Sequence, residues 1–342
     1  MRTAVGIDTV KNATPVSGHP RGLRGYVSEP MTTRESSQIT LSGRTGAGAL
    51  APPTDEQASA KRSLWTDLRE QAVDLWAYRE LLVQFTRRDI RIRYKQAAIG
   101  VIWAVLTPLI VVLSGWVLRL AFGRLSGEMP NDQMMAGVAV KSLGWAFFVG
   151  ALAFGTASIT GHLALITKTY FPRAILPIAS VLTQLLDAAI GVAALAIALP
   201  FFGVELSWAM LWVVPLALLL VLFTTGVTLV ASTANVFFRD AKYLVQIILS
   251  FGIFFTPVFF NADAFGATGA RIAMLNPIAP LLEGLRLAIV QGHNLMQPLA
   301  GFADSLAWTP GYLIYAAVWA VTAFVGSLLL FHRTEFDFAE YV

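Results

Sequence analysis

The chain has 342 residues, of which 56% are hydrophobic and only 13% charged, and its mean hydropathy is +0.63. That is more apolar surface than a water-soluble domain can cover, which excludes a soluble enzyme or a nucleic-acid-binding module and implies a polytopic membrane protein. The net charge of +4 comes largely from the stretch before the first apolar run, and the lack of cysteine excludes disulfides, thiolate metal sites and a cysteine nucleophile.

Residues 1–60 are rich in Gly, Ser, Thr, Pro and Ala and have no sustained apolar periodicity, so they are expected to form a disordered cytoplasmic tail. No apolar core of signal-peptide type lies near Met1, and Met31 is a second candidate start. Residues 61–95 change character. Between Trp65 and Tyr94, Leu75, Tyr78, Leu82 and Phe85 recur at helical spacing, with Glu80, Arg87 and Arg91 on the other side. This predicts an amphipathic helix lying in the membrane interface, although Asp89 and Arg93 drift onto its apolar face. It ends in "RRDIRIRYK" (87–95), where nine positions hold five bases and one acid.

Residues 96–342 carry six apolar runs long enough to cross a hydrocarbon core of roughly 30 Å. They are placed at Ala97–Leu120, Ser142–Ile166, Ile175–Phe202, Ser207–Val236, Tyr243–Phe260 and Gly311–Phe331. The linkers "TKTYFPRA" (167–174) and "FFRDAK" (237–242) carry Lys168, Arg173, Arg239 and Lys242, whereas "GVELS" (203–207) has one acid and no base. Together with the basic lead-in, the positive-inside rule puts both termini in the cytoplasm. The outer segment from Ala262 to Thr309 contains "LNPIAPLLEGLRLAIVQG", whose Glu283 and Arg286 make a full span costly. It is expected to be re-entrant, with Pro277 and Pro280 at the start of a short helix and Glu283 and Arg286 paired at a spacing of three. The predicted fold is therefore all-α: six transmembrane helices, an N-terminal amphipathic interface helix and a re-entrant outer segment between the fifth and sixth spans.

No Gly-x-x-x-x-Gly-Lys-Ser/Thr occurs, so the chain lacks a phosphate-cradling loop for ATP. The His residues are scattered, without a His-Glu-x-x-His pair or a dense carboxylate cluster, so no catalytic residues, resident cofactor or metal are assigned. Only Asp187 stands clearly inside a span, with Gln184 one turn before it. It either lines a polar path or is a carboxyl hydrogen-bonded to a neighbouring helix.

"RDIRIRYKQAAIGVIWAVLTPLI" resembles the opening of the polysaccharide-export permeases of the ABC-2 class, the membrane subunits that export O-antigen (lipopolysaccharide), capsule or teichoic-acid chains. "YFPRAILPIASVLTQLLD", "NVFFRDAKYLVQIILSFGIFFTPVFF", "LNPIAPLLEGLRLAIVQG" and the ending "EFDFAEYV" are similar to later family segments in the same order, over roughly residues 75–342. The resemblance implies a homodimer in the cytoplasmic (inner) membrane, joined by two copies of a cytoplasmic ATPase that bind ATP and Mg and move a lipid-linked polysaccharide outward. On that reading Tyr170, Phe171, Pro172 and Arg173, with Arg239 and Asp240, contact the ATPase; Lys168 and Arg173 serving topology alone is the alternative. Arg88, Asp89, Arg91, Arg93 and Tyr94 meet either membrane-lipid headgroups, which hold the helix on the surface, or the phosphate of the arriving lipid. Trp103, Trp116, Phe254, Phe255 and Phe259, in the first and fifth spans, are the candidate glycan path. Asn276, Pro277, Glu283 and Arg286 mark the outer re-entrant segment. Two other functions stay open: an ABC-2 permease for a small lipid or drug, and a membrane-embedded glycan-modifying transferase using Asp187.

Overall fold

The computed structural model describes residues 64–95, 131–166, 171–261, 266–301 and 306–335, with single positions between 102 and 124 and Phe338. The expected tail over 1–60 and most of the first span lie outside the described residues.

The amphipathic segment is two helices, α1 (Leu64–Ala77) and α2 (Arg79–Lys95), instead of one. They meet at Tyr78, where the Tyr78 N–H donates to the Asp74 carbonyl and the Leu82 N–H to the Tyr78 carbonyl, each at 3.0 Å. The apolar face of α2 does not wait for lipid. Phe85 is buried against Phe171, Ile175 and Leu176, with Leu75, Tyr78 and Leu82 around it, while Arg87 and Arg91 stay exposed as the periodicity requires.

The next helix, α3 (Asp132–Thr156), begins ten residues before the expected Ser142 and ends well before Ile166. Its start is set by Asn131, whose Oδ1 accepts the Met134 N–H at 2.8 Å from an extended backbone. Lys141, one residue ahead of the expected start, is fully buried within the helix. A 3₁₀ turn (Thr160–His162) and the short α4 (Leu163–Ile166) follow. Then α5 (Ile175–Ala198) runs into a 3₁₀ turn at Leu199–Phe202, and this unit matches the expected third span. Gly203 closes it at φ 67°, a left-handed conformation from which its N–H reaches the Leu199 and Pro200 carbonyls. A 3₁₀ turn at Trp208–Trp212 leads into α6 (Val213–Phe237), the expected fourth span.

The fifth run is shorter than expected. α7 (Ala241–Phe255) has 15 residues, because the chain turns extended at Thr256. The outer segment folds as α8 (Gly266–Met274) and α9 (Ile278–Val290), bent by 112° at Asn276–Pro277 as a broken span or a re-entrant loop would be. It also holds one departure from an all-helical fold, an antiparallel ribbon of β1 (Leu299–Ala300) and β2 (Leu306–Trp308). Finally α10 (Pro310–Thr334) starts on a proline at its first position, where no N–H is needed, and supplies the expected sixth span. Among the described residues, four helical segments are long and apolar enough to cross a membrane, or five if the bent pair counts as one.

The core lies where α3, α5, α6 and α9 meet, with the Trp145 and Phe148 rings 5.5 Å apart and Phe148 stacked on Phe223 at 6.2 Å. Ser180, Thr183, Thr225 and Thr233 each donate to a carbonyl one turn back, which satisfies their hydroxyls where no water is at hand. The tightest crossing is α6 on α10. A Cβ at Gly226 would lie 2.6 Å from the Ala323 carbonyl carbon, a backbone atom that cannot step aside. Gly226→Leu is therefore expected to destabilise the fold by about 1–3 kcal/mol or more, read as a lowered unfolding midpoint in detergent.

Candidate functional site

A cavity of about 780 Å³ opens between α2, α3 and α5. Its polar wall is built around Asp187 on α5, which forms an ion pair with Arg93 and accepts a hydrogen bond from the Tyr94 hydroxyl. The Arg93 guanidinium also donates to Gln184 Oε1 at 3.1 Å and lies 4.3 Å above the Phe154 ring. Arg93 thus sits on the apolar face of α2 because its partner is inside the bundle. Burial, reinforced by the neighbouring carboxylate, pushes the Tyr94 phenol up to about 12.

His162 adds a second tie to α2. One ring nitrogen, Nδ1, is 2.7 Å from the Ser158 carbonyl, which can only accept, so Nδ1 carries the proton. The other, Nε2, is 2.6 Å from an Arg88 guanidinium nitrogen, which can only donate, so Nε2 accepts. Arg88 is also paired with Asp89 at 2.9 Å and stacked over Phe85 at 4.8 Å. The basic run is therefore divided: Arg88 and Arg93 turn toward the bundle, while Arg87, Arg91 and Lys95 face outward. Trp145, Phe147 and Phe154 line the apolar wall. The cavity is thus charged and hydrogen-bonding at one end and aromatic at the other.

The two candidate coupling turns differ in exposure. Phe171 is buried, its ring 5.8 Å from that of Phe85, whereas Pro172 and Arg173 are half-buried; Tyr170 lies outside the described residues. Arg239 and Asp240 are exposed between α6 and α7, and the Asp240 carbonyl accepts from the Tyr243 and Leu244 amides as α7 begins. The Arg173 N–H donates to Glu335 Oε1 at 2.6 Å, and the Arg173 guanidinium donates to the Glu335 carbonyl at 2.5 Å. Burial raises the Glu335 carboxyl above the usual carboxylate range, against the opposing pull of Arg173.

The bent pair is pinned by ions. Glu283 is bound by Arg286 at 2.6 Å, as the spacing of three predicted, and also by Lys141 of α3 at 3.3 Å, which corrects the view that Asp187 alone is ionisable inside a span. Lys141 Nζ further donates to the Phe260 carbonyl at 2.6 Å. Asn276 donates to Thr256 Oγ1 at 2.9 Å and accepts from the Ile278 N–H at 3.3 Å, closing the bend ahead of Pro277. Among the path aromatics, Trp116, Phe254 and Phe255 are exposed and Trp103 lies outside the described residues. Phe259 is buried in the core, its ring 6.5 Å from that of Phe254.

Lys141, His162 and Glu335 were not singled out by sequence reasoning. Lys141 directly precedes the expected Ser142 start, His162 is one of several scattered histidines, and Glu335 lies in the similar ending without a partner in sequence to give it a role.

Residues 80–290 match the family model described as ABC-2 type transporter. The chain belongs to this family. Among curated relatives, an O-antigen export system permease protein RfbA of Klebsiella pneumoniae is 27% identical over 62% of this chain and 81% of its own length. A second from the same organism is 24% identical over 76% of this chain and 94% of its own, and one from Myxococcus xanthus is 27% identical over 69% and 91%. The ABC-2 chain is thus a multi-pass membrane protein of a transporter class, and its family implies an ATPase partner.

Proposed function

We propose that this chain is the permease subunit of an ATP-driven exporter that carries a lipid-linked polysaccharide across the cytoplasmic membrane. The observation that carries this reading is its match, over most of their own length, to relatives named as O-antigen export permeases. It works as a homodimer of six-span subunits with both termini in the cytoplasm, and ATP and Mg are bound by two partner ATPase subunits. The cavity at α2 supports a role in receiving the lipid: an anionic headgroup arriving from the inner leaflet competes with Asp187 for Arg93, while the apolar wall accepts a chain or sugar face. The exposed Phe254, Phe255 and Trp116 rings extend the path toward the second subunit.

Copurification tests the class. A tagged chain extracted in mild detergent is expected to bring an ATP-binding subunit in near-equal amount, and reproducible absence of one from folded dimer would sink the reading. Glycan tests the cargo: a deletion strain should lose its surface polysaccharide, and an intact surface glycan would favour a small-lipid or drug permease. Arg173→Glu sets a carboxylate against Glu335 and reverses the charge of the first turn. It is expected to insert normally and to block export, checked by membrane content and surface glycan.

A further inference from the structure

Ala174, at the cap position of α5, offers no side-chain acceptor, and the Ile175 and Leu176 amides instead donate to the Pro172 and Arg173 carbonyls, each at 3.1 Å. The turn that supplies those carbonyls is itself held from Glu335, which accepts the Arg173 N–H, while the Glu335 carbonyl accepts from the Arg173 guanidinium. A carboxylate at the positive end of a helix is favourable on both counts. Three residues on, Phe338 is fully buried. Its ring lies 5.8 Å beneath the Arg173 guanidinium, and edge-on to Phe331 at 5.4 Å and to Phe237 at 5.7 Å. Phe237 is the last residue of α6, two before Arg239. A single anchor therefore touches the bases of both turns.

We propose that Glu335 and Phe338 are positioning residues that join the Pro172–Arg173 turn and the Arg239–Asp240 turn into one mechanical unit, so that an ATPase stroke received at either turn moves α5 and α6 together. This rests on the reading of those turns as ATPase contacts. Without the anchor, the ATPase still docks and hydrolyses ATP, but the stroke is dissipated in a turn that yields.

The test compares variants in a deletion strain by surface polysaccharide per cell, alongside ATP hydrolysis by the purified permease–ATPase complex. Glu335→Ala and Phe338→Ala are expected to copurify the ATPase with normal basal hydrolysis while surface glycan falls about fivefold, the size of a lost hydrogen bond of about 1 kcal/mol. Glu335→Gln, whose amide oxygen still accepts from Arg173, is expected to export close to the parent level. Full export by Glu335→Ala, or equal loss in Glu335→Gln and Glu335→Ala, overturns the proposal. If Phe338→Ala does not accumulate, Phe338→Leu decides for that position: it keeps the apolar volume but loses the ring contacts, so reduced export supports the anchor and full export overturns it. Normal export by both Arg173→Glu and Arg239→Glu would show instead that the turns are not ATPase contacts, and the anchor would fall with them.

Discussion

Glu283→Ala is expected to be among the most damaging single substitutions in the chain, destabilising it by about 3–5 kcal/mol, because it strands two buried cations at once. Lys141 and Glu283 are 1% and 2% exposed in their side chains, and Arg286 is 7% exposed, so water cannot replace the missing carboxylate. The measurement is the unfolding midpoint of the detergent-purified protein, with membrane accumulation as the cellular counterpart. The informative control is Lys141→Met, Glu283→Leu and Arg286→Met together. Removing all three charges takes away the desolvation cost with the attraction, so the triple variant is expected to be more stable than Glu283→Ala alone. A Glu283→Ala protein as stable as its parent would mean that the cluster is hydrated and that the bend between α8 and α9 is held by packing alone.

The second large effect is expected at Asp187, which holds both Arg93 and Tyr94. Asp187→Ala and Arg93→Ala should each lower export, and their effects on stability should be non-additive, with a coupling of about 0.5–3 kcal/mol in a double-mutant cycle. The exchange Arg93→Asp with Asp187→Arg tests whether the charge pair itself matters, and partial recovery of export is expected. Export by the double alanine variant equal to that of Arg93→Ala alone would mark Asp187 as a holder of Arg93 and remove the remaining ground for a transferase. Normal export in Asp187→Ala would separate the cavity from transport.

The long apolar elements were legible because their signal is local. The third, fourth and sixth spans needed only a run of apolar residues bounded by charges, prolines or Gly203, and the helices follow those limits closely. Amphipathic periodicity likewise located Phe85 and its neighbours, and the spacing of Glu283 and Arg286 foretold their pairing. Several of the failures share one physical cause: a charge whose partner is distant in sequence. The predicted second span begins one residue after Lys141, a buried base whose acid lies on α9. Arg93 blurred the register of α2 because its acid lies on α5. The hold on the Pro172–Arg173 turn could not be read from "YFPRAILP", since the acceptor arrives from Glu335. Hydropathy also could not separate Phe259, which packs inward, from Phe254 and Phe255, which do not.

The Lys141–Glu283 bond has a consequence for how the protein is made. The two residues are 142 positions apart, so at 5–20 residues per second the ribosome delivers the acid roughly 7–28 s after the lysine. During that interval α3 carries an ammonium with no counter-ion, a penalty of about 2.5–3.5 kcal/mol at mid-membrane depth. Its final seat is therefore taken late, after α9 has been synthesised, and chains truncated before Glu283 should leave α3 poorly integrated and open to proteolysis. On this account the bend between α8 and α9 is expected to be a condition for completing a helix that was translated long before it.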